Sequence, residues 1–532
     1  MRRAVSAVVP LLFASVLGAQ AWTPPACDIK PGHFRLNSVS VNFKTAAEKP
    51  TQRDRMLAQS LDILNRSLTQ DNQTQNPYAW YFLGRYYAEM NDAVGADSAF
   101  DRAESLAPQC AQDIAGYRRG LWEDVLNSGQ RQQQEGKVDS AARSFRAASA
   151  LVPANPRPLF LLGSMYAARD QVDSATHYLR EAASRSAGDT AFAQARREAL
   201  SQVARLSLRR VQAAPEVQRW SRTRFSRDSL ERVIAVDSAV LARMDASSAG
   251  RRSRGARLSP ADQQTFARDS AARAGAVSSA KASRAPLAQR AAADSAAAQP
   301  VIEPALTAAR DYVVAAPDDG EGVGVLSYLY SQSARTSDAR AAFDSIFRSQ
   351  PGEVVVEAGR RAIRSGLTGP GAALLERGLA QAPADRDAWA DLANAYRQLR
   401  DGPRMLEASR RLVSVDPLNR TAARLLATAW EISGQPDSAR RAQARADSGI
   451  VVEVAVSSFV RNDNNAVLTA VAANSGGTAS TPLRLQFEFL DAAGAVIGSQ
   501  TAQIPAIPPQ GSHQFEVTVA GNSARGWRYR LT

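Results

Sequence analysis

Residues able to do chemistry are few and scattered. Three histidines, His33, His177 and His513, stand far apart in the sequence, so spacing suggests neither a metal cluster nor a Ser-His-Asp arrangement. There is no HExxH, no glycine-rich phosphate loop and no CxxC. Carboxylates recur in Asp-Ser-Ala runs such as Asp97-Ser98-Ala99 and Asp437-Ser438-Ala439. These fall near expected helix starts, where carboxylates and hydroxyls complement free backbone N–H groups, so they read as caps. The expectation is a chain that is not an enzyme and carries no metal and no cofactor.

Two cysteines, Cys27 and Cys110, make an even pair; in an oxidising compartment they form a candidate disulfide, and otherwise two separate thiols. A second chemical feature is charge. Residues 190–300 hold 20 Lys or Arg against 9 Asp or Glu, a net of +11 out of +13 for the whole chain. Helical patches recur there, whereas Ser247 to Gly255 reads as a flexible basic loop. Arg251, Arg252, Arg254 and Arg257 would be its contact for an anionic polymer such as a phospholipid surface or polysaccharide. Nucleic acid is not an expected partner, because aromatics for base stacking are sparse, with Trp220 and Phe225 the nearest.

The elements that must position these residues follow from length and texture. At 532 residues the chain exceeds one core and suggests about three or four units. Hydrophobic residues make up 45% but aromatics only 7%, which favours helices packed through small side chains. Residues 1–21 read as a cleavable secretory signal: Arg2 and Arg3, an apolar stretch to Leu17, then Ala19-Gln20-Ala21. Pro24-Pro25-Ala26 before Cys27 does not suit a lipid anchor. No later stretch approaches the roughly 18 apolar residues of a membrane span. The expected location is the periplasm of a bacterium, or outside the cell.

A repeat near 34 residues runs through the chain. Trp80, Leu83, Gly84 and Tyr87, then Ala96, Phe100, Ala103 and Pro108, fit W-x2-L-G-x2-Y, A-x3-F, A and P. Trp80, Leu83 and Tyr87 would share one face of a first helix and Ala96, Phe100 and Ala103 one face of a second. On these positions the chain resembles the tetratricopeptide repeat (TPR) family. After an 11-residue insertion the pattern returns from Trp122 (Gly129, Ala141, Phe145, Ala148) and from Pro156 (Leu159, Leu162, Gly163, Tyr166, Leu179). A second block beyond residue 286 includes Leu326, Tyr330 and Phe343, then Trp389, Leu392 and Tyr396, then Leu426 and Trp430.

The resemblance implies an α-solenoid that binds a protein or peptide segment in the concave groove lined by the first helix of each pair. The outward positions would be Tyr78, Tyr81 and Arg85, then Arg157, Phe160 and Ser164, and in the second block Asn394, Arg397 and Arg424. Tyr81, Arg85 and Phe160 are the expected anchors, since aromatic residues and arginine dominate interfaces. Asn394, Arg397 and Arg424 resemble fragments of the family's carboxylate clamp, but its lysine is missing, so that function is not carried over.

Near residue 450 the texture changes to short Val-rich runs separated by turns such as Asn462-Asp463-Asn464-Asn465 and Pro508-Pro509-Gln510-Gly511, which read as six or seven strands. Their order resembles the immunoglobulin-like modules appended to bacterial envelope proteins. The expected organisation is a signal (1–21), an N-terminal arm with a leading helix (22–75), a first repeat block (76–189) and an Ala/Arg-rich connector (190–285). A second repeat block (286–448) and a β-sandwich (449–532) complete it. Fold class is mainly α with a small all-β end. The expected function is a cell-envelope scaffold for protein partners; the alternative is a surface-binding module gripping an anionic polymer through the connector and the β domain.

Overall fold

The structure is a computed structural model that describes residues 22–253, 258–521 and 523–532, with 19 α-helices and six strands among them. The expected signal at 1–21 lies outside the described residues. The chain divides into two compact units, residues 1–199 and 200–532.

The first unit is a series of TPR-like antiparallel hairpins: α1 (Val39–Glu48) with α2 (Arg53–Thr69), α3 (Pro77–Glu89) with α4 (Ala93–Leu106), α5 (Ala111–Gln134) with α6 (Val138–Leu151), and α7 (Arg157–Ala167) with α8 (Val172–Arg185). The reason α3 starts where it does is local. Asn76 accepts a hydrogen bond from the Tyr78 amide and Pro77 occupies the first turn. Glycine at the helix crossing is equally physical. A Cβ on Gly84 would lie 2.5 Å from the Phe100 ring, on Gly129 2.8 Å from Phe145, and on Gly163 2.7 Å from Leu179. The same close approach thus recurs in three successive hairpins.

One expectation needs correction here. The arm carries two helices, not one leading helix: Val39, Phe43 and Ala46 on α1 face Leu57, Ser60 and Leu64 on α2, all buried. The 11-residue insertion forms the first three turns of α5, because Ile114 and Leu121 recur at helical spacing and are buried.

α9 (Ala193–Ala213) contains the boundary between the units. In the second unit, α10 (Pro215–Ser253) and α11 (Pro260–Ala315) form a long antiparallel hairpin, α10 alone running about 60 Å at 1.5 Å per residue. The flexible-loop reading of Ser247 to Gly255 is therefore corrected: α10 continues through Ser253, and residues 254–257 lie outside the described residues. The cause is a heptad seam. The less exposed positions of α10, Thr223, Arg227, Leu230, Ile234, Asp237, Leu241 and Met244, step by four and three, as do Phe266, Ser270, Arg273, Val277 and Ala280 on α11. Cross-pairs Thr223–Asp294, Glu231–Arg284 and Asp237–Arg273 set the register. α11 also runs through Pro286, Pro300 and Pro304, so residue 286 marks no break; Ile302, Ala305, Leu306 and Ala309 enter the core of the block that follows.

That block pairs α12 (Gly320–Gln332) with α13 (Thr336–Ile346), α14 (Gly352–Arg364) with α15 (Thr368–Gln381), α16 (Arg386–Leu399) with α17 (Gly402–Val415), and α18 (Arg420–Ile432) with α19 (Pro436–Ala444). Asp319, Asp385, Asp401 and Asn419 cap α12, α16, α17 and α18 through their side chains.

The chain ends in two three-stranded antiparallel sheets, ordered β1 (Val452–Arg461), β2 (Asn465–Asn474), β5 (Ser512–Ala520) and β4 (Val496–Ile504), β3 (Leu483–Leu490), β6 (Gly526–Leu531). Alternation decides which side is core. Leu468, Ala470 and Ala472 of β2 face Leu485, Phe487 and Phe489 of β3, and Trp527 and Tyr529 of β6 complete the layer. Val415, from the end of α17, is buried in the same core.

Candidate interaction sites

Tyr78, Tyr81 and Arg85 of α3 do share one face, but that face is covered. They are 4%, 0% and 5% exposed, which corrects the expectation that they line an open groove. The cover is the chain's own segment 22–31. Arg85 donates to the Thr23 carbonyl at 3.0 Å, and its guanidinium lies 4.8 Å from both the Trp22 and the Tyr117 ring centroids. Rings of Phe43, Tyr81 and Phe82 complete the surround within 6 Å, a cation enclosed by aromatic faces.

The Ala26 amide donates to Asp113 Oδ2 at 3.1 Å, and the Tyr81 hydroxyl donates to the same oxygen at 2.6 Å. Burial, reinforced by that carboxylate, pushes the Tyr81 hydroxyl far above its ordinary range, so it stays a donor. Asn76 donates to the Pro31 carbonyl at 2.7 Å. Cys27 and Cys110 are joined in a disulfide, Cα atoms 5.0 Å apart, fixing the segment to the start of α5. Sequence reasoning missed Asp113 and Tyr117 because they sit in the insertion. The spacing of Ile114, Tyr117 and Leu121 was the signal that this stretch is helix.

The other expected positions lie apart from this cluster. Arg157 is exposed and Phe160 and Ser164 half-buried on α7. Asn394 donates to the Ala390 carbonyl within α16, Arg397 is exposed, and Arg424 reaches Asp447 at 3.8 Å. In the basic stretch, Arg251 donates to Ser247, while the side chains of Arg252, Arg254 and Arg257 lie outside the described residues. Trp220 is buried and donates to the Gln332 carbonyl, whereas Phe225 is exposed.

Of the two Asp-Ser-Ala runs, Asp437 lies in the first turn of α19 as expected, and the run at Asp97 is corrected. The cap of α4 is Asp92, and Asp97, a turn further on, instead pairs with Arg118 of α5 at 3.0 Å, beside Asp101 and Glu104. Among the described residues, no group of three or more His, Cys, Asp or Glu could hold a metal ion. No described helix is long and apolar enough to cross a membrane.

A different concavity opens in the second unit, where the β domain docks on the repeats. Tyr529 of β6 donates to Asp416 Oδ1 at 2.8 Å and accepts from the Leu418 amide at 3.0 Å, while Arg386 pairs with Asp416 at 2.9 Å. Gly526 fits there because it lacks a Cβ, which would collide with the Ala384 carbonyl oxygen. Beside this joint is a cavity of about 760 Å3 between α15, α16, α17 and the outer face of the β4-β3-β6 sheet. None of the expected groove residues lines it.

No family model matches the chain, and no curated protein matches it. Among solved structures it is similar to MamA (19% identity, 29% of this chain and 91% of that one, TM-score 0.20). It is also similar to a thermophilic TPR protein of Thermus thermophilus (13%, 52% and 98%, TM-score 0.18). A third is the C-terminal part of a TPR repeat-containing protein from Cytophaga hutchinsonii (12%, 65% and 99%, TM-score 0.23). At these TM-scores the likenesses add nothing to the fold read from the chain itself.

Proposed function

We propose that the chain is a non-catalytic scaffold of the cell envelope that binds extended polypeptide segments along its helical repeats. One observation carries this: the face of α3 and α5 already holds such a segment. Arg85 reads a main-chain carbonyl, Asp113 reads a main-chain amide, and an aromatic side chain stacks on the guanidinium. These contacts recognise backbone and one aromatic residue, the chemistry a repeat groove would use on a partner.

Because α3 and α5 hold the chain's own arm, partners are left α7 of the first block, and the second block with the β domain docked on it. The Cys27–Cys110 bond supports export, since such bonds persist in oxidising compartments. The anionic-polymer alternative keeps the residues it is argued on, Arg251, Arg252, Arg254 and Arg257; elsewhere in the basic stretch, Arg273 and Arg284 are paired with Asp237 and Glu231 within the hairpin.

The test uses full chain with Cys27→Ser and Cys110→Ser, and a labelled peptide of residues 22–31 carrying Ser at position 27. A tethered arm competes at an effective concentration near the millimolar range, so Trp22→Ala in the chain should strengthen peptide binding. Arg85→Ala should abolish it. A peptide that ignores both changes, or never binds the Trp22→Ala chain, would remove the reading.

A further inference from the structure

The cavity beside the β domain has an apolar floor and charged walls. Trp389, Leu392 and Tyr396 of α16 form the floor with Leu379 and Val415. One wall is α17, where Arg404, Glu407, Arg411 and Ser414 recur at steps of three and four and so share a face. The facing wall is the outer surface of the sheet. Glu488 sits opposite Arg528 and Gln486 opposite Arg530, with Arg528 paired to Glu488 at 2.6 Å and Arg530 donating to Gln486 at 2.8 Å.

Two features mark this space as built for an occupant. Tyr396 is 2% exposed, and its hydroxyl makes no hydrogen bond of normal geometry. Glu376 and Arg404 flank it, the Arg404 guanidinium 5.7 Å from the ring centroid. A ligand acceptor would satisfy that donor. The charge is also uneven. Four arginines face three glutamates, Glu488 is taken up by Arg528, and Arg411 has no ion-pair partner among the described residues. Its volume and apolar floor match preformed ligand sites. The Tyr529–Asp416–Arg386 joint holds both walls in place.

We infer that this cavity binds a peptide segment pairing an apolar or aromatic side chain with an adjacent acidic residue. The apolar group lies on Trp389, Leu392 and Tyr396; the carboxylate meets Arg411, with Arg530 across from it; the Tyr396 hydroxyl donates to a main-chain carbonyl. The inference rests on the scaffold reading and names its partner's chemistry.

Three labelled peptides test it on the full, oxidised chain by anisotropy: Ac-Glu-Phe-Glu-NH2, Ac-Lys-Phe-Lys-NH2 and Ac-Glu-Ser-Glu-NH2. The first should bind, the second should not, and the third should bind at least roughly tenfold more weakly, the change one lost anchor of about 1.4 kcal/mol makes. Arg411→Glu, at an exposed position, should weaken the first by a similar factor, as should Trp389→Ala; Arg397→Glu should not. Equal binding of the acidic and basic peptides, or no binding by any, overturns the cavity. Binding lost with Arg397→Glu but not with Arg411→Glu also overturns it, while leaving the scaffold reading standing. The arm-peptide experiment on the first block judges that reading separately.

Discussion

The first repeat block presents the stronger interaction signature in sequence, yet the second presents the open site. Tyr81 and Arg85 carry the residue types expected of anchors, and both are interior, sealed by a segment some 60 residues earlier in the chain. Around the second block, Trp389 and Tyr396 sit at positions that normally only zip helices together, and they floor a cavity. Residue type marks where binding chemistry is available, but exposure is decided by what else in the chain reaches that face. In the first block it is an arm tied down by a disulfide; in the second a β domain covers one side and leaves a gap.

The largest test of that contrast is to cut the tie. Removing the Cys27–Cys110 bond, whose cysteines are 83 residues apart, should cost about 4.5 kcal/mol of first-unit stability by chain entropy. Denaturant unfolding of the Cys27→Ser/Cys110→Ser chain measures it, and unfolding of the second unit should not change. Next, Arg85→Ala should cost roughly 2–3 kcal/mol, since it removes a buried cation from five rings and strands the Thr23 carbonyl. A loss below about 0.5 kcal/mol would mean the arm is a loose cover, and the contrast between the blocks would collapse.

On the other side, Tyr529→Phe strips one donor from Asp416 and one acceptor from the Leu418 amide and should cost about 1–2 kcal/mol. It should also speed proteolysis at the joint near residues 445–451. Smallest of all, Arg397→Glu on the exposed face of α16 should change stability by less than about 0.5 kcal/mol.

Much of the architecture was legible because its causes are local. Trp80, Leu83, Gly84 and Tyr87 against Ala96, Phe100 and Ala103 identify a hairpin from spacing alone, and Gly84 shows why: Phe100 fills the place of its Cβ. Strand alternation in Leu468, Ala470 and Ala472 announced the β end in the same way. The α10–α11 hairpin was missed because its seam is built from small and charged residues. Thr223, Arg227, Asp237 and Arg273 hide a heptad within an Arg- and Ala-rich stretch that reads as linker. The sites were least legible, since each needs a distant contact. Trp22 and Thr23 have no periodicity to betray that they lie on Arg85, and the cavity exists only because Tyr529 reaches Asp416, 113 residues away.

The most direct measurement is backbone hydrogen exchange in the oxidised full chain, followed at the Ala26 amide. Its hydrogen bond to Asp113 depends on the arm being seated. The account predicts exchange slowed by orders of magnitude relative to a free peptide, and accelerated in the Arg85→Ala chain. Exchange at the free-peptide rate, with Cys27 and Cys110 still bonded, would contradict it and return Tyr81 and Arg85 to an open groove.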